Sequence, residues 1–238
     1  NLIPPRIEWS LLKDKPPEVL IDQTYFVTGV GTVVGGTVMS GVVHANQTML
    51  LGPDGNGQFI PVQVKSVHSK RLPVKQVSAG MSAGFALKKI KRSTTRYVVS
   101  LLFPHNNNDS LIPTNDSKGM VLVPIDSNPQ PSWYFEADVV ILYHSTTIHT
   151  NYQPVIQCLT IRQSAKIVHI YDKYVDFLGM LSQIFIINPP FFFFFFFFFF
   201  REVLRTGDRS RVLFKFLYRP EYLKEGMRVI FREGRCKG

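Results

Sequence analysis

Apolar residues occupy every second position in three stretches of the chain, residues 60–65, 133–142 and 211–218. A period of two is typical of a β-strand with one buried face. No stretch of twelve or more residues combines a helical period of 3.6 with capping residues. Turn-forming residues separate the alternating stretches, as at 52–57, 126–131, 206–208 and 224–226. The pattern predicts an all-β fold of many short antiparallel strands, in a barrel or a sandwich.

The glycine-rich stretch from Gly29 to Gly41 carries the most information. Its first glycines are spaced G-x-G-x-x-x-G and no helical pattern follows, so it is not a dinucleotide-binding fingerprint. As β structure, Gly29 and Gly31 predict a tight turn, residues 32–34 a strand, and Gly35-Gly36 a bulge or a close backbone approach. A ligand can lie against the main chain at such glycines.

Nearly all of the net charge of +10 comes from one part of the chain. Residues 60–96 contain nine Lys or Arg residues and no acidic residue, whereas the rest of the 238-residue chain is nearly neutral. These charges are either a solvated face or a surface that contacts phosphates. We favour phosphate contact, because alternate residues of a strand point the same way and RNA binding needs a cationic surface.

Several kinds of site are excluded. Cys158 and Cys236 are the only cysteines, too few for a disulfide scaffold or a multi-cysteine zinc site. The six histidines show no metal-ligand spacing, and no nucleophile motif occurs, so we predict no metal and no catalytic residue. Cys158 lies in an apolar run and is predicted to pack in the core. The chain begins with no signal peptide, which predicts a reducing, cytoplasmic location.

Residues 177–200 contain no charge and end in ten consecutive phenylalanines, from Phe191 to Phe200. Their length is enough to span a bilayer, but Pro189-Pro190 and polar residues interrupt them. A core could not pack ten consecutive aromatic residues. The run is more typical of a translated polypyrimidine tract at the end of an intron, which the transcript would settle.

Motifs along the chain resemble the translational GTPases of the elongation factor Tu type, particularly the GTP-binding protein 1 and 2 group. The glycine-rich stretch is similar to that family's Ile/Val-x-Gly-x-Gly-Thr-Val-Val-x-Gly signature in its second domain. Later segments follow in family order, at 80–92, 118–122, 135–139, 161–165, 204–208 and 231–235. The resemblance implies two antiparallel β-barrels in tandem, similar to domains II and III of elongation factor Tu.

The resemblance also implies a division of the chain. Residues 1–17 are the linker from a GTPase domain that the chain lacks, and residues 18–96 are the domain II-like barrel. Residues 97–117 are an insertion typical of a retained intron. Residues 118–238 are the domain III-like barrel, interrupted by the Phe-rich insertion at about 174–203 and truncated at its C-terminus.

The function implied by the resemblance is binding of aminoacyl-tRNA and the ribosome in translation, by a monomer with no membrane partner. GTP and Mg²⁺ are the cofactors of the full-length family protein, held by its GTPase domain. The chain contains neither the Gly-x-x-x-x-Gly-Lys-Ser/Thr loop nor an Asn-Lys-x-Asp motif, so we expect no GTP hydrolysis by the chain alone. Its own GTPase domain is a further implied partner.

Two groups of site residues follow from the resemblance and the charge pattern. The tRNA 3′ end is expected at Tyr25, Val27, Gly29, Gly31, Thr32, Val34, Gly35 and His68. The RNA backbone is expected at the basic patch Lys65, Lys70, Arg71, Lys88, Lys89, Lys91 and Arg92. The sequence departs from elongation factor Tu at Thr28, where that factor has proline, at Gly35, where it has a hydroxyl residue, and at His68, where it has an acidic residue. The simpler alternative is that the glycines only build a turn and a bulge.

Two other functions remain open. The chain could be a stand-alone basic β-barrel that binds RNA without nucleotide chemistry. It could also be a membrane-anchored protein that uses residues 177–200. Family order along both predicted barrels favours the translational GTPase.

Overall fold

The structure is a computed structural model that describes residues 7–88, 90, 118–173 and 203–232. Within these ranges the chain forms strands and two short 3₁₀ helices, and no α-helix, so the all-β prediction is confirmed. The 3₁₀ helices are η1 (Trp9–Leu12) and η2 (Ile125–Ser127). The strands are β1 (Glu18–Val27), β2 (Gly31–Ser40), β3 (Val42–His44), β4 (Thr48–Gly52), β5 (Ile60–Ser69), β6 (Leu72–Val74), β7 (Gln76–Ser78), β8 (Ser82–Lys88), β9 (Val121–Val123), β10 (Tyr134–Val140), β11 (Ile148–His149), β12 (Val155–Cys158), β13 (Ile161–Lys173), β14 (Val203–Leu204), β15 (Arg209–Phe216) and β16 (Ile230–Arg232).

The chain divides into two compact units. The first comprises the described residues of Asn1–Trp133, Gln157–Gln163 and Tyr218–Ile230. It contains a seven-stranded antiparallel sheet in the order β4-β9-β1-β2-β8-β5-β6. Strand β4 also pairs with β5, so six strands form a closed ring of pairings, and β6 attaches outside the ring to β5. Strands β3 and β7 pair separately.

The core of the first unit lies inside this ring of strands. On β2 the even-numbered residues from Thr32 to Val38 are buried and the odd-numbered ones are partly exposed, which is the expected alternation. A Cβ atom at Gly36 would lie 2.1 Å from the carbonyl oxygen of Leu20, so β1 and β2 approach closely there. The register of β1 shifts between Ile21 and Gln23, opposite Gly35 and Gly36. The predicted bulge or close approach is therefore confirmed.

Residues next to the predicted domain boundaries take part in the first unit. Strand β9 pairs with both β1 and β4, although residues 118–238 are predicted to form the second barrel. The segment before β1, assigned to the linker, contacts β2 and the β7–β8 turn: the Ser40 hydroxyl donates to the carbonyl of Pro16 at 2.7 Å, and a Cβ atom at Gly80 would lie 2.8 Å from the Trp9 ring. The boundaries at residues 17 and 118 stay predictions.

The second unit comprises the described residues of Tyr134–Ile156, Ser164–Leu217 and Phe231–Gly238. Its main sheet has the strand order β10-β15-β13-β12-β16, and β11 pairs with β14. Strand β15 buries Val212, Phe214 and Phe216, as its period of two predicts. The Phe135 ring of β10 lies 5.1 Å from the Phe214 ring and 4.8 Å from the Phe216 ring, centroid to centroid.

Several predicted features lie outside the described residues. These are the insertion at 97–117, the run from Phe191 to Phe200 and the last six residues, 233–238. Within the described ranges, no helix has the length and apolar character that a membrane span requires.

Candidate nucleic-acid interface

Two glycines on neighbouring strands leave a strip of bare backbone on the outer face of the first unit. Gly84 of β8 pairs with Gly35 of β2 on one side and with His68 of β5 on the other. Gly35 in turn pairs with Gln23 of β1. Residues directly opposite in an antiparallel sheet point to the same face. Gly35 and Gly84, here called the glycine shelf, therefore lie between the exposed residues Gln23 and His68.

Tyr25 borders the glycine shelf on the β1 side. A Cβ atom at Gly35 would lie 3.4 Å from Cε2 of Tyr25, so the ring lies beside the bare backbone. The Tyr25 side chain is 48% exposed, which leaves much of its ring open to solvent. Nucleobases stack on exposed aromatic rings in single-strand binding sites. The arrangement of Tyr25, the glycine shelf and His68 can therefore accommodate a base against the main chain.

The β1–β2 turn contains Gly29 and Gly31, at φ +81° and +103°. The amide of Val30 donates to the carbonyl of Val27 at 3.1 Å, which closes the predicted tight turn. Both glycines lie in the left-handed region that disfavours other residues, so chain geometry alone explains them. Val27 and Val30 are about equally exposed, at 42% and 40%, and extend the open surface beside Tyr25.

Two of the residues expected at the tRNA 3′ end point inward. Thr32 and Val34 are buried, and Val34 belongs to the core cluster of the first unit. The Thr32 hydroxyl donates to the carbonyl of Ile90 at 3.4 Å. Only the backbone of these two residues is available to a ligand on the outer face.

Sequence reasoning missed Gly84 as a member of this surface. Its signal was a glycine between Ala83 and Phe85, within a stretch that reads as a strand, where glycine often marks a close approach of another molecule. The strand register that aligns Gly84 with Gly35 and His68 could not be predicted from the sequence.

The described members of the basic patch are Lys65, Lys70, Arg71 and Lys88, and all are exposed. Lys65 lies at the register shift of β5, and Lys88 ends β8. Lys70 and Arg71 form the turn between β5 and β6, with φ +50° and +67°. Left-handed conformations cost non-glycine residues roughly 1–2 kcal/mol each. The other predicted members, Lys89, Lys91 and Arg92, lie outside the described residues.

Acidic residues are scarce in the part of the sequence that holds these charges. Between Gln23 and Asn108 the only acidic residue is Asp54. The Asp54 carboxylate accepts the backbone amides of Asn56 at 2.9 Å and Gln58 at 2.7 Å, within its own loop. The ion pairs of the described residues involve other side chains. The stretch from Gln23 to Lys88 therefore carries a net positive charge, and the exposed Asp22 adjoins it on β1.

A second polar cluster, consisting of Gln163, Arg219 and Glu221, is buried in the first unit. Arg219 Nε donates to Glu221 Oε1 at 2.8 Å, and Gln163 Nε2 donates to the same oxygen at 2.7 Å. Arg219 Nη2 donates to the carbonyl of Lys118 at 2.7 Å. Burial raises the pKa of Glu221, and the Arg219 guanidinium and the Gln163 amide oppose that rise. This cluster joins distant segments and offers no open surface to a substrate.

The described residues contain no group of three or more His, Cys, Asp or Glu side chains that could hold a metal ion. Cys158 is fully buried, which confirms its predicted place in the core. Burial, and then the charge of Glu221, raises the pKa of the Cys158 thiol and disfavours a nucleophilic thiolate.

Residues 31–99 match the family model of elongation factor Tu domain 2. Over its full length the chain is 41% identical to GTP-binding protein 1 of Xenopus laevis and covers 28% of that protein. It is 31% identical to GTP-binding protein 2 of Homo sapiens, of which it covers 32%. To elongation factor 1-alpha of Hyperthermus butylicus it is 26% identical over 85% of the chain, which covers 37% of that protein.

These comparisons confirm the resemblance to the elongation factor Tu type of GTPase, with GTP-binding proteins 1 and 2 among the relatives. The chain spans about a third of the length of the curated relatives that it matches.

Proposed function

We propose, from the match of residues 31–99 to the family model of elongation factor Tu domain 2, that this chain is the RNA-binding β-barrel part of a translational GTPase. In this proposal its first unit binds the 3′ end of aminoacyl-tRNA, and the chain contacts the ribosome in the cytoplasm. The observation that carries the proposal is the glycine shelf, flanked by Tyr25 and His68.

The proposed architecture is two antiparallel barrels in tandem, with the boundaries expected from the sequence. The closed ring of six strand pairings in the first unit supports a domain II-like barrel. The antiparallel sheet of β10, β15 and β13 supports a domain III-like barrel in the second unit.

The proposed binding mode assigns a different task to each part of the face. The ring of Tyr25 stacks on an unpaired base at the 3′ end, since single-stranded ends offer bases that are free to stack. The glycine shelf lets the sugar or the aminoacyl group approach the main chain, because no side chain intervenes. The lysines of the basic patch attract the phosphates in a salt-dependent, sequence-independent manner.

In this proposal, GTP binding is a property of the full-length protein. The relatives named GTP-binding protein 1 and GTP-binding protein 2 are about three times as long as the matched segment. The 238 residues contain no phosphate-binding loop motif, so GTP and Mg²⁺ would be held by the GTPase domain of the full-length protein.

Filling the glycine shelf tests the proposal. We expect Gly84→Val to weaken binding of aminoacyl-tRNA about tenfold, roughly the contribution of one stacked base. The fold should persist, because a Cβ atom at Gly84 meets only Val33 Cγ1, at the ordinary distance of 3.7 Å. Gly55→Val is the matched control, since a Cβ atom there has nothing within 4 Å. Fluorescence anisotropy with labelled aminoacyl-tRNA measures both variants.

The same assay distinguishes binding of the tRNA 3′ end from the stand-alone RNA-binding function, which the basic patch also favours. A chain that reads the 3′ end should bind aminoacyl-tRNA more tightly than tRNA shortened by its three terminal nucleotides. Equal affinity for both RNAs, unchanged by Gly84→Val, would contradict the 3′-end proposal and favour general RNA binding. If no RNA binds at low salt, neither function is correct.

A further inference from the structure

The segment before β1 is seated on the first unit at two glycines. A Cβ atom at Gly80 would lie 2.8 Å from Cγ of Trp9, and one at Gly41 would lie 2.4 Å from Cα of Pro17. Both glycines have positive φ, +87° at Gly80 and +71° at Gly41, which disfavours other residues. Residues 9–17, here called the strap, therefore occupy space that a side chain at either glycine would fill.

The two glycines adjoin the strands that form the glycine shelf. Gly41 directly follows β2, and Gly80 lies in the turn before β8. Hydrogen bonds continue from that turn into the strands, because the Gly80 amide donates to the carbonyl of Val38 at 2.8 Å and the Val38 amide donates to that of Met81 at 2.9 Å. From there β2 and β8 stay paired through the glycine shelf. The strap is thus fastened to one end of a strand ladder whose middle is the glycine shelf.

The middle of this ladder has few side chains to fix its shape. Gly35 and Gly36 are consecutive on β2, and Gly84 lies opposite Gly35 on β8. Glycine is conformationally permissive, and glycine in a strand interior weakens the strand because it has no side chain to pack. The path of the backbone at the glycine shelf therefore depends on how the ends of the two strands are held.

We infer that seating of the strap and binding on the glycine shelf are coupled. The seated strap holds β2 and β8 in the shape that binds the ligand, and a bound ligand in turn keeps the strap seated. The inference rests on the proposed RNA-binding function and adds a control of its affinity. The two effects must be equal in size, because coupling between two sites is reciprocal.

Trp9→Ala in the full 238-residue chain loosens the strap and leaves the strands unchanged. The Gly41 amide reports seating, because it donates to the carbonyl of Leu12, at 2.8 Å, only while the strap is in place. We expect Trp9→Ala to speed hydrogen exchange of this amide about tenfold, measured within minutes by mass spectrometry. Binding of fluorescein-labelled aminoacyl-tRNA should weaken about fivefold. Leu11→Ala is the matched control, since Leu11 lies on the same strap and is 69% exposed.

The reciprocal experiment needs no variant. Saturating aminoacyl-tRNA should slow exchange of the Gly41 amide about fivefold in the wild-type chain. An unchanged exchange rate would overturn the inference, even if Trp9→Ala does not fold.

The remaining outcomes separate the inference from the function on which it rests. Faster exchange in Trp9→Ala with wild-type affinity for aminoacyl-tRNA would overturn the coupling and leave the RNA-binding function standing. Equal exchange rates in the wild type and Trp9→Ala would show that Trp9 does not seat the strap, and would also overturn it. So would an equal loss of affinity in Leu11→Ala, or a gain of affinity in Trp9→Ala. Failure of the wild-type chain to bind aminoacyl-tRNA at low salt would reject the proposed function itself.

Discussion

At the residue scale, Gly119 shows how one missing side chain makes room for a buried charge. Gly119 has φ +92°, and a Cβ atom there would lie 2.7 Å from Oε2 of the buried Glu221. Its amide donates to the hydroxyl of Thr160 at 3.3 Å. The position therefore requires glycine both for its backbone conformation and for the space beside the Glu221 carboxylate.

We predict that Gly119→Ala lowers the free energy of unfolding by about 2–4 kcal/mol, from left-handed strain and displacement of the Glu221 hydrogen bonds. Urea denaturation followed by tryptophan fluorescence measures the change. Gly55→Ala is the control and should have an effect below about 0.5 kcal/mol, because its Cβ atom enters open space. An effect of similar size in both variants would contradict the role of Glu221.

The glycines also show what could be predicted at this scale. Gly29 and Gly31 are predicted in a turn because the reason for them is local, in the spacing of the glycines themselves. Gly84 and Gly119 were not identified, because the residues that make them necessary come from distant segments. Glu221, for example, follows Gly119 by about a hundred residues and meets it only in the folded chain.

At the element scale, the segment after β15, residues 218–230, is part of the first unit and is held in it by several contacts. Ser132 and Glu221 exchange backbone hydrogen bonds of 2.9 and 3.1 Å. Tyr222 meets the Phe59 ring edge-on, with centroids 6.1 Å apart. Lys224 pairs with Glu18 at the start of β1. The buried Arg219–Glu221 pair lies at the beginning of this segment, so its integrity decides whether the segment stays in place.

We predict that Arg219→Met destabilises the chain by about 3–5 kcal/mol, since it leaves the Glu221 carboxylate buried without its cation. The double variant Arg219→Met with Glu221→Leu should lose less, because no unpaired charge remains. Thermal or urea unfolding of both variants checks the order. A double variant less stable than the single one would show that the pair is not the main source of the effect.

The ion pair of Lys224 and Glu18 makes the free energy of unfolding depend on pH. Burial lowers the pKa of Lys224, but the hydrogen bonds and charges of Glu18 and then Tyr222 together outweigh it, so the pKa is raised above the ordinary 10.5. A raised lysine pKa means that the stabilisation is complete below pH 10.5 and is lost as pH rises through the folded-state value. Unfolding of wild type and Lys224→Met between about pH 9 and 12 should show a difference in stability that shrinks at the alkaline end. A constant difference would contradict this sign.

The positions of the strands could be predicted from the sequence better than the pairing of one strand with another. The alternation that indicates β5, β10 and β15 is local, so each was found within a few residues of its bounds. Strand β9 has only three residues and no alternation, since all three are buried. Its pairing with β1 and β4 depends on closure of the ring, which no local pattern encodes.

At the scale of the whole molecule, the uneven distribution of charge allows the proposed RNA binding to be tested apart from nucleotide binding. Residues 60–96, which contain β5 to β8, hold +9 of the net charge of +10, and the motifs that hold a nucleoside triphosphate do not occur in the 238 residues. RNA affinity should therefore be measurable on this chain without GTP.

We predict that the 238-residue chain neither binds nor hydrolyses GTP. Fluorescence of a labelled GTP analogue with Mg²⁺ should not change on titration with the chain, and no phosphate should be released. The full-length GTP-binding protein 1 of Xenopus laevis is the positive control for binding of the analogue. Saturable binding of the analogue to the chain would show a nucleotide site that the sequence motifs do not reveal.

The ring of pairings in the first unit also sets an order for folding during synthesis. Strands β1 and β4 are complete by residue 52, yet the strand between them, β9, begins only at Val121. Until β9 has left the ribosome, the nascent chain has two unpaired strand edges beside apolar residues of β1 and β4. Closure over so long a loop is slow, because the entropy of the intervening chain must be lost before the contacts form. Chaperone engagement should therefore be strongest after β8 emerges and should end when β9 pairs.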